Sequence, residues 1–251
     1  MYKKEYPFLK EVDSLALANV QLHLEKAYKN FFRDPKVGFP RFKSKHHSKN
    51  SYTTNVVNGN ILVEDKRIRL PKLKWISIKK HREPAENFCL KSVTVSMEPS
   101  GKYFASLLYE GYSCENQAAD KDYSNAKILG IDYAMQGMAV FSEEIEFEKA
   151  GFFRRNEKRL AREQRKLSRC VKGSRNYVRQ KKKVARCHEK IRSQRRDYLH
   201  KLSRRITDQY DIVAVEDIDM KAMSQCLHFG KSVQDNGYGM FRNMLDYKLA
   251  W

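Results

Sequence analysis

Between Glu11 and Phe32, apolar Leu15, Ala18, Leu22, Ala27 and Phe31 recur at steps of three to five residues, mostly three and four. This spacing predicts one amphipathic helix, with Asp13 or Ser14 able to cap its start and Pro35 and Gly38 ending it. From Ser51 to Tyr112 the period falls to two. The runs "SYTTNVV", "ILVED", "RIRLP", "WISIKKH", "LKSVTVSMEP" and "KYFASLLYE" are separated by Asn58-Gly59, Pro71 and Pro99-Ser100-Gly101. Short alternating runs with turn residues between them predict an antiparallel sheet or small barrel built from hairpins. A polar, turn-prone stretch, "CENQAADKDYSNAK" (114–127), then marks a domain boundary.

An α/β pattern begins at Ile128. "ILGIDYA" and "MAVFS" are predicted strands, with a third near Ile145 to Ala150. In the segment from Arg154 to Arg205, 22 Lys or Arg stand against four acids. Gly173-Ser174 divides it. Phe153, Leu160 and Leu167 are spaced by seven upstream; Tyr177, Val184, His188, Ile191, Tyr198, Leu202 and Ile206 follow steps of three, four and seven downstream. That is the pattern of an antiparallel helical hairpin (154–208) with a narrow apolar seam and a basic exterior. A five-residue apolar strand, Asp211 to Val215, runs into Glu216 and Asp217, and Ser232 to Trp251 repeats apolar residues at helical spacing. The expected organisation is a helical segment with a basic loop (1–50), an antiparallel β domain (51–113), a linker (114–127) and a mixed α/β domain (128–251). The fold class is α+β.

Composition adds a partner. Lys and Arg number 50 against 30 Asp and Glu, a net charge of +20. Such a surplus repels itself, and a polyanion relieves the repulsion while gaining affinity through counterion release. Nucleic acid is the expected partner. Candidate contacts are Arg41, Lys43 and Lys45 in the loop "RDPKVGFPRFKSKHHSKN", and Arg154, Arg155, Arg159, Arg162, Arg165, Lys166, Lys172, Arg175, Arg179, Lys181, Lys182 and Lys183 in the hairpin. Phe39 and Phe42 are stacking candidates on the same loop. Equally, the loop reads as a solvated linker that these two Phe pin to the core. Five scattered cysteines form neither a disulfide framework nor a C-x-x-C zinc site, which fits a reducing cytoplasm. No run approaches the roughly 18 apolar residues of a membrane span, and no secretory h-region is present at the start.

One acid, Asp132, lies inside the apolar run "ILGIDYAMQGMAVFS", and Glu216 ends another predicted strand. If the two strands are parallel neighbours, both carboxylates leave the same edge. Two carboxylates within ~4 Å repel by roughly 4 kcal/mol at an effective dielectric of 20. A divalent cation removes that cost. Hard oxygen ligands suit Mg²⁺ or Mn²⁺, and a pair of such ions can drive phosphodiester cleavage. The plain alternatives are a salt bridge from Asp132 to an Arg, Asp217 or Asp219 capping a helix that starts near Met220, and Glu216 simply facing solvent.

The stretches "GIDYAMQGMAVFS", "KRLAREQRKLSRCVKGS", "KVARCHEKIRSQRRDYLHKLSR" and "IVAVEDIDMKAMS" together resemble the TnpB proteins of bacterial insertion sequences, relatives of type V CRISPR effectors. "SLALANVQLHLEKAYKNFF", "GFPRFKSK" and "LKSVTVSMEPSGKYFASLLYE" match as well. The resemblance implies a WED-type, β-barrel-like domain followed by a RuvC-like, RNase H-type core carrying the basic hairpin. It also implies a guide RNA that directs cleavage of target DNA, Mg²⁺ or Mn²⁺ as cofactor, and a bacterial cytoplasmic setting. By matching motifs, Asp132 corresponds to the first catalytic acid and Glu216 to the second, both as metal ligands. Family members continue into a zinc ribbon and a third catalytic Asp and carry further N-terminal elements. The resemblance therefore implies a chain cut at both ends, with an incomplete RuvC-like domain and impaired cleavage. An RNA-guided DNA-binding repressor without nuclease activity is the alternative, and a general basic RNA-binding protein a third reading.

Overall fold

The computed structural model describes residues 2–42, 44, 50–84, 86–111, 123–134, 138–145, 151–219 and 235–250. Two compact units are present, Met1–Gln117 and Ala118–Trp251.

The first unit opens with a single-turn helix, α1 (Tyr2–Glu5), and a 3-10 turn (Pro7–Lys10), followed by α2 (Ser14–Arg33). Asp13 caps α2 by accepting from the Leu15 N–H at 3.3 Å. The buried face differs from the predicted seam. Ala16 and Asn19 are buried against β1, whereas Leu22 is 55% exposed and Ala18 faces solvent. The reason is polar: the Asn19 amide donates to the Thr53 carbonyl at 2.9 Å and to Asn55 Oδ1 at 3.3 Å, so hydrogen bonds rather than leucines dock this helix.

Six strands follow: β1 (Asn50–Asn55), β2 (Leu62–Val63), β3 (Arg67–Leu70), β4 (Lys74–Ser77), β5 (Phe88–Met97) and β6 (Tyr103–Gly111). Each predicted alternating run thus contains a strand. No closed barrel forms among the described residues, which corrects the barrel-like expectation. The strands make two three-stranded antiparallel sheets, β1-β5-β6 and β2-β3-β4. Asn58 and Gly59 adopt left-handed φ values of 49° and 66°, yet the turn they make does not close a hairpin, because β1 pairs with β5 and β2 with β3. The two sheets meet through side chains, not edge to edge, over Ile61, Ile68, Leu70 and Val93.

The second unit contains β7 (Ile128–Ala134), β8 (Met138–Phe141), α3 (Phe152–Ser168), α4 (Arg175–Gln209), β9 (Ile212–Val215) and α5 (Tyr238–Leu249). The sheet order is β8-β7-β9, with β8 antiparallel and β9 parallel to β7. Leu129, Ile131 and Tyr133 of β7 bury one sheet face against Leu199, Leu202 and Ile206 of α4 and Tyr238, Phe241, Met244 and Leu245 of α5. Of the helix predicted from Ser232, residues 232–234 lie outside the described residues, and α5 covers Tyr238–Leu249. Most of the expected third strand, 146–150, and the expected helix from Met220 lie outside the described residues.

The basic hairpin is α3 packed on α4, joined by a turn in which Gly173 has φ +83° and the Ser174 hydroxyl caps α4 by accepting from Tyr177 N at 3.1 Å. Its seam holds Leu160, Cys187 and Ile191, with Phe152, Phe153 and Val184 packed alongside. Cys187 takes the place predicted for His188, which is exposed. Gln180 and Glu163 are buried in the same interface, where the Gln180 amide donates to both the Glu163 carbonyl (3.0 Å) and carboxylate (2.8 Å). A polar pair at one level of an apolar seam sets the register of the two helices.

The fold makes a contrast that chemical denaturation can check. Phe241→Ala empties a fully buried position and is expected to cost about 3–5 kcal/mol. Phe32→Ala, at a site 76% exposed, is expected to cost under about 0.5 kcal/mol.

Candidate active site and nucleic-acid interface

The parallel pairing of β7 and β9 is fixed at its start. The Lys127 N–H donates to Asp211 Oδ2 at 3.1 Å, and the Lys127 carbonyl accepts from the Asp211 and Ile212 N–H groups at 3.0 and 3.2 Å. From there the register runs Ile128 to Ile212, Leu129 to Val213, Gly130 to Ala214 and Ile131 to Val215. One further step sets Asp132 beside Glu216. Neighbours in a parallel pair point to the same sheet face, so the two carboxylates leave the sheet together. The Glu216 carboxyl is within hydrogen-bonding reach of the Asp132 carboxyl.

Asp132 is not a buried acid. The burial of β7 alternates: Ile131 and Tyr133 are 4% and 8% exposed, while Asp132 and Ile128 face outward. Val140, the cross-strand partner of Asp132, is 58% exposed on the same open face. Helices α4 and α5 cover only the odd-numbered side of the strand, and the acid lies on the other. Hydrogen bonding to Asp132, then loss of hydration, then the negative charge of Asp132 all push the Glu216 carboxyl above the usual glutamate range.

The residues after Glu216 are anchored. Asp217 accepts from Arg242 Nη1 of α5 at 2.6 Å, and Ile218 packs against the core. Asp217 is therefore an ion-pair partner, and the helix it was expected to cap, from Met220, lies outside the described residues. No group of three or more His, Cys, Asp or Glu side chains is placed to hold a metal among the described residues.

The hairpin cations divide by position. Arg154, Arg155, Arg159, Arg162, Arg165 and Lys166 lie on α3, Lys172 in the turn, and Arg175, Arg179, Lys181, Lys182 and Lys183 on α4, and all of these are exposed. Arg155 stacks over the Phe152 ring at 4.8 Å. Four of them, Arg159, Arg162, Lys166 and Lys183, converge with Arg186 and Lys190 around a cleft of about 340 Å³ between the helices. Glu163 sits in its wall, its carboxyl held below the usual range first by the Gln180 amide and then by the neighbouring Lys166, Arg162 and Lys183 charges, against an opposing push from lost hydration.

In the N-terminal loop, Phe39 packs edge-on against Tyr28 and Phe31 at 5.6 and 5.5 Å, the pinning role, while Phe42 is 96% exposed and open to stacking. Arg41 is exposed; Lys43 and Lys45 lie outside the described residues.

Sequence reasoning missed Arg186, Lys190, Tyr238 and Arg242. The first two follow Lys183 at steps of three and four, a spacing that places them on the helix face toward α3. It also missed Asp235 and Asn236, which tie the hairpin to the sheet. Asp235 Oδ1 accepts from the Phe153 N–H at 2.9 Å, and the Asn236 amide donates to the Tyr133 hydroxyl and Ala134 carbonyl, each at 3.3 Å.

The family model OrfB_IS605, described as "Probable transposase", matches residues 111–227. Over 98% of its length the chain is 32% identical to "Putative RNA-guided DNA endonuclease InsQ" of Escherichia coli (strain K12), covering 62% of that protein. Over 99% it is 32% identical to "Putative RNA-guided DNA endonuclease" of Streptomyces pristinaespiralis, covering 60% of it. Among solved structures, a Cas12f1 chain in complex with sgRNA and target DNA aligns with 88% of this chain and 56% of its own, at 13% identity and a TM-score of 0.46. Residues 111–227 thus match the OrfB_IS605 family, and nearly the whole chain is similar to TnpB-like proteins. The chain spans about 60% of the length of the curated relatives it matches.

Crowding of the two acids has a thermal consequence. Because the folded state raises the Glu216 pKa, ionised Glu216 costs stability above that value, and the cost disappears as pH falls through it toward the ordinary glutamate range. In the absence of divalent cations, Glu216→Gln is expected to raise the melting temperature at pH 7, with the gain shrinking on acidification. An unchanged or lower midpoint at pH 7 contradicts the crowding.

Proposed function

We propose that this chain is the acid-bearing and nucleic-acid-gripping part of a TnpB-type, RNA-guided DNA endonuclease, with a RuvC-like core in the second unit and a WED-type role for the antiparallel first unit. It binds guide RNA and target DNA, and by itself cuts DNA weakly. The observation that carries this reading is the convergence of Asp132 and Glu216 on one open sheet face, in the same unit as the cationic cleft. The mixed order β8-β7-β9, with an acid on the central strand and another just past its parallel neighbour, supports an RNase H-type core.

The pair fits Mg²⁺ or Mn²⁺. Asp132 and Glu216 offer hard carboxylate oxygens on the same side, and such ions are commonly held by one or two carboxylates, with water and phosphate oxygens completing the shell. The Glu216 pKa is raised first by hydrogen bonding to Asp132, then by lost hydration, then by the Asp132 charge, and a divalent cation offsets the repulsion between the two carboxylates. When bound, the metal supplies activation of water and stabilisation of the leaving oxygen in phosphodiester cleavage. The chain's own work is then to hold the ion, through Asp132 and Glu216, and to hold the substrate. Arg159, Arg162, Lys166, Lys183, Arg186 and Lys190 neutralise backbone phosphates, and Phe42 gives an exposed ring for a base. Two carboxylates offset only half of the charge of two divalent ions, so cutting by this chain alone is slow.

Co-expression with RNA from the adjoining transposon end tests the proposal. The purified chain is expected to carry a discrete RNA and to cut matched DNA slowly with Mg²⁺, with Asp132→Ala abolishing the residual cutting. Cutting that survives Asp132→Ala, or a chain that carries no discrete RNA, contradicts it. Replacing Arg159, Arg162 and Lys183 by Ala is expected to weaken binding and flatten the slope of log affinity against log salt by roughly one for each phosphate no longer neutralised.

The repressor reading draws on the same acids. Among the described residues, no third ligand joins the pair. Guided footprinting on DNA with no Mg²⁺-dependent product at any enzyme concentration would favour it over weak nuclease activity.

A further inference from the structure

We propose that Arg242 is a positioning residue that holds the Glu216 carboxylate against Asp132, with α5 acting as a clamp across the ends of β7 and β9. The inference rests on the acid pair described above and adds a residue from an element that the motif resemblance does not include.

Helix α5 reaches both acid-bearing strands from one side. Tyr238 and Arg242 are four residues apart and so share a helix face. The Tyr238 ring, 2% exposed, packs edge-on against Tyr133 at 5.0 Å, and Tyr133 directly follows Asp132. The Arg242 guanidinium donates to Asp217 at 2.6 Å, and Asp217 directly follows Glu216. One turn of helix therefore touches the residue after each acid. The contact at Asp132 is apolar, within a strand already paired on both sides. The contact at Glu216 is ionic and falls beyond Val215, the last residue of β9.

The position of Glu216 depends on that ionic contact more than the position of Asp132 depends on the apolar one. Asp132 is held by hydrogen-bonded neighbours in β8 and by the buried side chains of Ile131 and Tyr133. Glu216 lies where the strand has ended, in a segment whose next residue is 93% exposed at its side chain. Without the guanidinium, the like charge of Asp132 pushes Glu216 outward. The Tyr238 hydroxyl supports this placement. It is buried with no hydrogen-bond partner among the described residues, and burial raises its pKa, Arg242 opposes the rise, and Glu216 and Asp132 add to it. Arg242, Glu216 and Asp132 thus all lie within electrostatic reach of the Tyr238 hydroxyl.

Crystal structures of the wild-type chain, Arg242→Ala and Arg242→Lys, with calorimetric Mn²⁺ titration of each, test the proposal. In Arg242→Ala the Asp132 and Glu216 carboxylates are expected to separate beyond hydrogen-bonding distance, with Mn²⁺ affinity about 10-fold weaker. Arg242→Lys keeps the charge on Asp217 and is expected to restore most of the affinity and the spacing. An unchanged carboxylate spacing in Arg242→Ala overturns the proposal, as does a Lys variant no better than Ala. Should the wild-type chain fail to bind Mn²⁺, the metal reading of the pair falls, and the spacing in Arg242→Ala still decides whether Arg242 positions it.

Discussion

A pair of backbone and carboxylate contacts between Lys127 and Asp211 sets where the acids of this protein can go. Side chains in a parallel pair alternate with a strict period of two, so a slip of one residue at this point would send Asp132 and Glu216 to opposite faces. The buried row Leu129, Ile131 and Tyr133 enforces the same register from the other side, because slipping β7 would expose it. The carboxylate pair therefore inherits its precision from the hydrophobic core beneath it, although neither acid is part of that core.

The second unit sets opposite charges in separate places. Two carboxylates crowd together on an open sheet face, and six Lys or Arg side chains crowd around the cleft between α3 and α4. Each cluster is costly alone, and under the proposed function each is relieved by a different kind of ligand: a divalent cation for the acids, phosphates for the bases. Asp235 and Asn236 connect the two regions, one holding the start of α3 and the other the end of β7. Under the proposed function, a nucleic acid on the hairpin would be mechanically linked to the strand that carries Asp132.

Much of this architecture is legible in the residues alone, and the exceptions have physical causes. The six alternating runs between Ser51 and Tyr112 each hold a strand, because period-two patterning with Gly and Pro punctuation leaves little choice. Barrel closure is not legible, since pairing partners such as β1 and β5 depend on contacts far apart in sequence. The hairpin follows from its heptad spacing. Its seam is ambiguous at Cys187 and His188, where both neighbours fit the period and only burial decides for Cys187. The docking face of α2 is hidden because Asn19, a polar residue, makes the decisive hydrogen bonds. The apolar neighbours of Asp132 suggest a buried acid, but a strand covered on one side only places every second residue in the open. Arg242 cannot be identified from spacing, since its partner Asp217 lies 25 residues away on another element.

The central claim is that Asp132 and Glu216 together form a divalent-cation site. Anomalous diffraction from a crystal of this chain grown with Mn²⁺ tests it most directly. The account predicts a peak between the two carboxylates that disappears in Asp132→Ala. No peak there, with the carboxylates in place and turned apart, would contradict it.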